Sequence, residues 1–220
     1  KGLNVNASAT ISPENFKGQL SVSNPNYNNS DKSVYGSIQA VETDRIENFG
    51  YKSNKTGFEI GTQFEYLDDF NLGLSTRTFY EKIETDSTAS ARQQKQDGNY
   101  FDNFAKFNFD YDKRNQKFRT TDGFRSFYSL DLPIISKTNT LTNTYSYKLF
   151  SELYENNLSS LSLLLQSSNS LTGDDIKLSE RLSIPTSKLR GFERGKVGPK
   201  DGEDFIGGNY LAALNFQSTL

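Results

Sequence analysis

Acidic pairs are the first groups in this sequence that could do chemistry. Asp174-Asp175, Asp68-Asp69 and the cluster Asp201, Glu203 and Asp204 offer oxygen ligands to a hard cation. A calcium loop needs those oxygens at a defined spacing, and the stretches TGDD and DGED lack it. They read as solvated loop acids. Serine is plentiful, but the chain has no histidine to activate it and no cysteine to act as thiolate or metal ligand. GKVGPK is no phosphate-binding loop, because its Gly-Lys lacks the upstream glycine and the following Ser or Thr. The sequence therefore predicts a protein that is not an enzyme and uses no metal or cofactor. What remains is KLRGFERGKVGPKDGEDFIGGNY (Lys188–Tyr210), rich in glycine and charge and without an apolar period. Taken alone, such a stretch reads as a flexible surface loop with a solvated Arg190.

The elements that must position these groups show a period of two. Leu3, Val5, Ala7, Ala9 and Ile11 alternate with polar residues. So do Phe16, Gly18, Leu20 and Val22, and then Val34, Gly36, Ile38 and Ala40. Phe58 to Tyr66 and Leu72 to Tyr80 continue the pattern, followed by Ala105 to Tyr111 and Tyr128 to Ile134. Tyr145 to Leu153, Leu161 to Leu165 and Tyr210 to Phe216 complete ten segments. Strict alternation means strands with one apolar and one polar face. A soluble sandwich would turn the apolar faces inward, whereas a membrane barrel would turn them to lipid and line its interior with the polar ones.

The polar faces favour the barrel. They carry Asn, Gln, Ser and charges of both signs, while the apolar faces carry no charge. Tyr66, Tyr80, Tyr111 and Tyr145 fall near strand ends, where interfacial aromatics sit. The strands approach the roughly 9–11 residues that cross a bilayer obliquely. By this phase Leu74, Phe107, Leu149 and Leu163 face lipid, and Gln63, Arg77, Lys106 and Lys148 face the interior. The apolar fraction of 34% is low for a water-soluble core. A net charge of −2 argues against nucleic acid as partner. No run of about 18 apolar residues encodes a transmembrane helix. Without Met, the chain reads as a processed product or an internal segment. Short turns are expected at Asn24–Ser33, Asp68–Asn71 and Lys113–Gly123, and longer loops at Thr43–Asn54 and Glu84–Asn103. The predicted fold is all-β: an antiparallel up-and-down transmembrane β-barrel.

LRGFERGKVGPKDGEDFIGGNYLAALNF (Leu189–Phe216) resembles the sixth external loop and following strand of the BamA family, the bacterial outer-membrane protein assembly factors. DKRNQKFRTTDGFR (Asp112–Arg125) is similar to that family's turn ending in Thr-Asp-Gly, and LSVSNPNY (Leu20–Tyr27) to one of its strand ends. Leu189 stands where the family usually has Val. The resemblance implies an inward-folded loop with the tip motif Leu189, Arg190, Gly191 and Phe192. It also implies a loop and strand-entry motif of Gly198, Pro199, Lys200, Gly207, Gly208 and Asn209. In this reading the Arg190 guanidinium seeks a bidentate carboxylate, Gly191 permits close approach to the wall, and Phe192 packs. Family partners of the arginine would lie on strands beyond residue 220. Glu59, Glu65, Asp110, Asp131 and Glu152 are the interior acids within the chain.

The family barrel has about sixteen strands, so residues 1–220 would form the third to twelfth. They would include the internal loop 188–208 but no POTRA domain. The resemblance implies a function in inserting and folding β-barrel proteins in the bacterial outer membrane. The implied partners are unfolded outer-membrane β-barrel proteins, outer-membrane lipid and accessory assembly lipoproteins. A secretion channel of the same superfamily and a porin-like diffusion channel are the alternatives. Ten strands of a larger barrel should form an open wall in which each strand pairs with its sequence neighbours. Closure of ten strands on themselves is the competing expectation.

Overall fold

The computed structural model describes residues 2–155, 157–193 and 195–219. It contains β1 (Asn4–Ser12), β2 (Asn15–Asn24), β3 (Ser33–Arg45), β4 (Tyr51–Leu67), β5 (Phe70–Thr85) and β6 (Gly98–Asp112). β7 (Gly123–Ile135), β8 (Thr140–Glu152) and β9 (Leu158–Ser170) follow, then the short β10 (Lys200–Asp201) and β11 (Asp204–Phe205), and finally β12 (Tyr210–Ser218). Two single-turn helices, α1 (Ile46–Phe49) and α2 (Ala91–Gln94), lie in the connections. α2 starts at a capping box, in which Ser90 and Gln93 satisfy each other's backbone N–H groups.

One antiparallel sheet of 10 strands runs in the order β1 to β9 and then β12. Each strand pairs with its sequence neighbours, and β1 and β12 do not pair, so the wall is open. The ladder fixes which residues share a face. Leu74 pairs with Phe107 and Phe107 with Leu130, while Leu149 pairs with Leu161 and Leu161 with Phe216. This outer face leaves large apolar side chains uncovered, among them Ile38, Phe58, Ile60, Leu74 and Leu214. Lys106 pairs with Asp131, and Arg125 with Lys148, on the opposite, inner face. The phase expected from the alternation is the one observed.

Near the turns at 68–69 and 113–122, aromatic rings on the outer face touch in sequence across four strands. Phe70 meets Tyr111 with ring centroids 6.2 Å apart, Tyr111 meets Phe124 at 5.6 Å, and Phe124 meets Tyr147 at 5.7 Å. Edge-on and tilted contacts at these separations are favourable. A continuous aromatic row of this kind marks one boundary of a lipid-facing band.

Two expectations need correction. The loops predicted at Thr43–Asn54 and Glu84–Asn103 are shorter than expected, because β3 runs to Arg45, β4 starts at Tyr51, β5 runs to Thr85 and β6 starts at Gly98. Polar residues continue the ladder there: Glu42, Asn54, Lys82 and Asn99 form one outer-face row, and the Lys52 ammonium lies 2.8 Å from Glu42. The inner face is also less polar than expected, since Phe79, Phe104, Phe150, Leu164 and Leu211 are buried on it. Phe79 lies over Gly57 on β4, where an added Cβ would come within 2.3 Å of the ring. The ring covers strand backbone that the glycine leaves bare.

The described apolar core lies at the other end of the sheet. Phe49, Tyr51, Ile83, Tyr100 and Leu178 form a buried cluster with Phe205 packed against it. It combines α1, three strands and the long connection between β9 and β12.

Candidate functional site

That connection, residues 171–209, folds over the inner face. Its first part is gripped from α2 and the strands beneath. Asp175 accepts paired hydrogen bonds from Arg92 (2.5 and 2.8 Å) and a further one from Arg181 at 2.6 Å. Burial pushes the Asp175 carboxyl up, but the two guanidinium groups outweigh it and hold it below the usual carboxylate range. The Gln96 side chain donates to the Ile176 carbonyl at 3.1 Å and accepts from the Leu178 N–H at 2.8 Å. The residue between them, Lys177, is thereby aimed into the wall.

Lys177 is fully buried. Its ammonium donates to Asp102 on β6 at 2.5 Å and to Glu81 on β5 at 3.1 Å, and Glu180 of the same loop lies 3.1 Å away. Both wall carboxylates are also fully buried. Lys55 on β4 approaches Glu81 at 3.8 Å, and the Tyr100 ring takes the Lys177 cation at 5.3 Å from its centre. Burial depresses the pKa of Lys177, yet Glu180, Glu81 and Asp102 together raise it above the ordinary lysine value. The ammonium is therefore charged at any physiological pH.

The middle of the loop is tied more lightly. Leu182 and Gly208 exchange backbone hydrogen bonds of 2.8 and 2.9 Å, which close the loop's neck. Gly207 sits there at φ 71°, and a Cβ would come within 2.7 Å of the Leu182 carbonyl oxygen. Lys188 donates to the Ser162 hydroxyl on β9 at 2.9 Å, and its carbonyl accepts from Asn215 on β12 at 2.7 Å. The β10–β11 hairpin folds back so that Asp201 accepts from Ser90 at 2.6 Å, and Phe205 packs on Phe49.

The expected motif residues are spread along this path. Leu189 is half-buried, whereas Arg190, Gly191 and Phe192 are exposed, Phe192 at 60%. Gly191 adopts φ 82°, and a Cβ added there would meet nothing within 4 Å. The close approach to the wall expected of this glycine is therefore not seen; its left-handed backbone is what favours glycine. Gly198 and Pro199 lie at the loop surface, and the Pro199 carbonyl accepts from Ile206 at 3.1 Å. Lys200 opens β10 and lies 4.4 Å from the centre of the Phe205 ring. Gly208 and Asn209 lead into β12, and the Asn209 carbonyl accepts from Ser168 on β9 at 2.8 Å.

The acids considered for Arg190 are engaged elsewhere. Glu59 accepts from Tyr35, Glu65 from the Asp69 N–H, and Asp110 from Arg125. Asp131 pairs with Arg77 at 2.6 Å, and Glu152, at the end of β8 on the inner face, is exposed. The docked cation in the described residues is Lys177, which the motif reading missed. Its signal was present in the sequence: Ile176 and Leu178 bracket a lysine within an otherwise polar run.

Among the described residues no cluster of acids could hold a metal ion. The loop lies against the inner face of the wall. An open ladder with an apolar outer band, an aromatic row and an inward-folded loop defines a segment of an outer-membrane-type β-barrel.

Residues 1–219 match the Omp85 superfamily domain, and the chain belongs to the Omp85 superfamily. Among solved structures it is similar to BamA from Haemophilus ducreyi lacking POTRA domains 1–3, with a TM-score of 0.83 and 17% identity. The match covers 96% of this chain and 46% of that one, so the likeness is one of fold to part of a barrel. No curated protein matches the sequence.

Proposed function

We propose that this chain is part of the membrane wall of an assembly factor in the bacterial outer membrane. Such a factor inserts and folds other β-barrel proteins. Its partners would be unfolded outer-membrane β-barrel proteins, the surrounding lipid, and accessory lipoproteins bound through periplasmic domains outside this stretch. It acts by offering a template for strand pairing and not by covalent chemistry.

The observation that carries the reading is the loop tied to the inner face at Lys177 and Lys188. A loop held there by buried charge fits a gated assembly device better than an open diffusion channel. The order Arg-Gly-Phe, Gly-Pro-Lys, Gly-Gly-Asn also supports assembly over secretion.

Depletion of the full-length protein in its own bacterium tests this. Many unrelated outer-membrane β-barrels should fall together, read as loss of their heat-modifiable folded forms. If those barrels persist and only one exported protein is lost, the secretion reading replaces this one. If only small-solute uptake changes, the protein is a diffusion channel.

A further inference from the structure

Lys177, Lys188 and Arg190 lie along the long loop, and the structure treats them differently. Arg190 is exposed, and Lys188 reaches only a serine hydroxyl. Lys177 enters a pocket whose two carboxylates come from adjacent strands. The wall is acid-heavy there: Glu81 Oε1 and Asp102 Oδ1 are buried without a hydrogen-bond partner even with Lys177 in place. If the lysine were withdrawn, two carboxylates would stand on the inner face, with Lys55 at 3.8 Å from Glu81 left to offset them. Removing one partner of a buried ion cluster is far more disruptive than replacing all of it with neutral groups. Gln96 fixes the direction of approach by holding the backbone on both sides of the lysine.

We propose that Lys177 is a latch, a positioning residue that holds the long loop against the wall through Glu81 and Asp102. Its effect on assembly rests on the function proposed above; its effect on loop position does not. The loop is then seated at its root, near α2, where Lys177 matches the wall carboxylates, and not at its glycine-rich tip.

The test uses the full-length protein in its own outer membrane. Ile176, which is 1% exposed, is replaced by cysteine as the reporter. Thr172→Cys, at an exposed position, serves as the always-reactive control. A bulky, membrane-impermeant maleimide should label Ile176→Cys slowly and Thr172→Cys quickly. Adding Lys177→Met should speed labelling at 176 by about tenfold or more, the ratio expected when a closed state loses at least 1.4 kcal/mol. Adding Glu81→Gln and Asp102→Asn to Lys177→Met should restore slow labelling, because the two fully buried wall carboxylates are neutralised together with the lysine. If Lys177→Met alone fails to fold, the neutral triple variant still folds and stays protected, which supports the latch.

Slow labelling in Lys177→Met overturns the proposal, and so does a triple variant as reactive as the single one. Levels of folded outer-membrane barrels should fall in Lys177→Met and recover in the triple variant. Faster labelling with unchanged assembly would keep Lys177 as the residue that seats the loop and overturn its link to assembly. Failure of the assembly reading itself shows differently, as barrels that persist when the unaltered protein is depleted.

Discussion

Along β5 the outer face reads Leu72, Leu74, Thr76, Thr78 and Tyr80, and then Lys82 and Glu84. The inner face reads Asn71, Gly73, Ser75 and Arg77, and then Phe79, Glu81 and Ile83. The strand never changes phase, yet its two faces exchange polarity near Tyr80. On one side of that point the outer face is apolar and meets lipid. On the other side the outer face is charged, and the inner face joins the cluster of Phe49, Tyr51, Ile83, Tyr100 and Leu178. One sheet thus serves two solvents. Within the band, lipid is the apolar phase and the interior is wet; beyond it, water is outside and the sheet must build a core as soluble proteins do. The loop belongs to the second region, which is why it brings Ile176 and Leu178 with it.

The largest expected effect separates those regions directly. Ile83 is fully buried beyond the band, whereas Leu74 is 43% exposed within it. Ile83→Ala should cost about 2–5 kcal/mol, through lost transfer energy and an unfilled cavity. Leu74→Ala should cost much less, because fluid lipid tails follow the smaller side chain. Denaturant unfolding of the full-length protein from lipid, with a probe near α2, measures both. Equal losses would mean that the two regions do not differ as described.

Charge sharpens the comparison from the other side. Leu163 sits between Leu161 and Leu165 on the outer face of β9. Leu163→Arg should destabilise the inserted protein by about 2–4 kcal/mol if it lies near the bilayer midplane. Lys82→Leu, beyond the band and 52% exposed, should stay within about 0.5 kcal/mol. The same unfolding measurement decides. A lysine at 82 that proved as costly to remove as an arginine at 163 was to add would place Lys82 in a structural role.

A milder probe leaves the fold untouched. Spin labels at positions 74 and 107 should be relaxed by a lipid-soluble quencher, and labels at 63 and 106 by a water-soluble one. At position 82 the water-soluble reagent should win although the residue shares its face with Leu74. Lipid-type accessibility at 82 would erase the exchange of polarity along β5.

The exchange also explains what the sequence could reveal. Alternation identified the strands and their faces wherever lipid kept the outer residues apolar, as at Phe58 and Ile60 or Leu161 to Leu165. It failed at Lys52 to Asn54 and at Gly98 to Asn103, where the same strands continue with the polarity of their faces reversed. A reader looking for apolar residues in one phase sees a loop there. Glu81 and Asp102 lay in or beside those lost stretches, so the acids that receive Lys177 had no visible frame. The tip motif was legible as a pattern of residues, but its spacing carried no information about which charge of the loop is buried.

The smallest effect concerns the outer fastening of the loop at Asp175. Burial alone would raise this carboxyl's pKa, but hydrogen bonds and charge from Arg92, with the charge of Arg181, lower it on balance. A depressed carboxylate pKa contributes stability that is present above the unfolded value of about 3.9 and is lost as pH falls through the folded value. The first turn of the loop should therefore loosen in acid below that range and remain unaffected between neutral pH and mild acid. An environment-sensitive dye on Thr172→Cys would follow it, with the full-length protein held in lipid. Arg92→Gln removes the first-named source of the depression, so its loosening should begin at higher pH than in the parent. Identical acid profiles with and without Arg92 would show that Asp175 is not what holds this turn, leaving Gln96 and Lys177 to seat the loop by themselves.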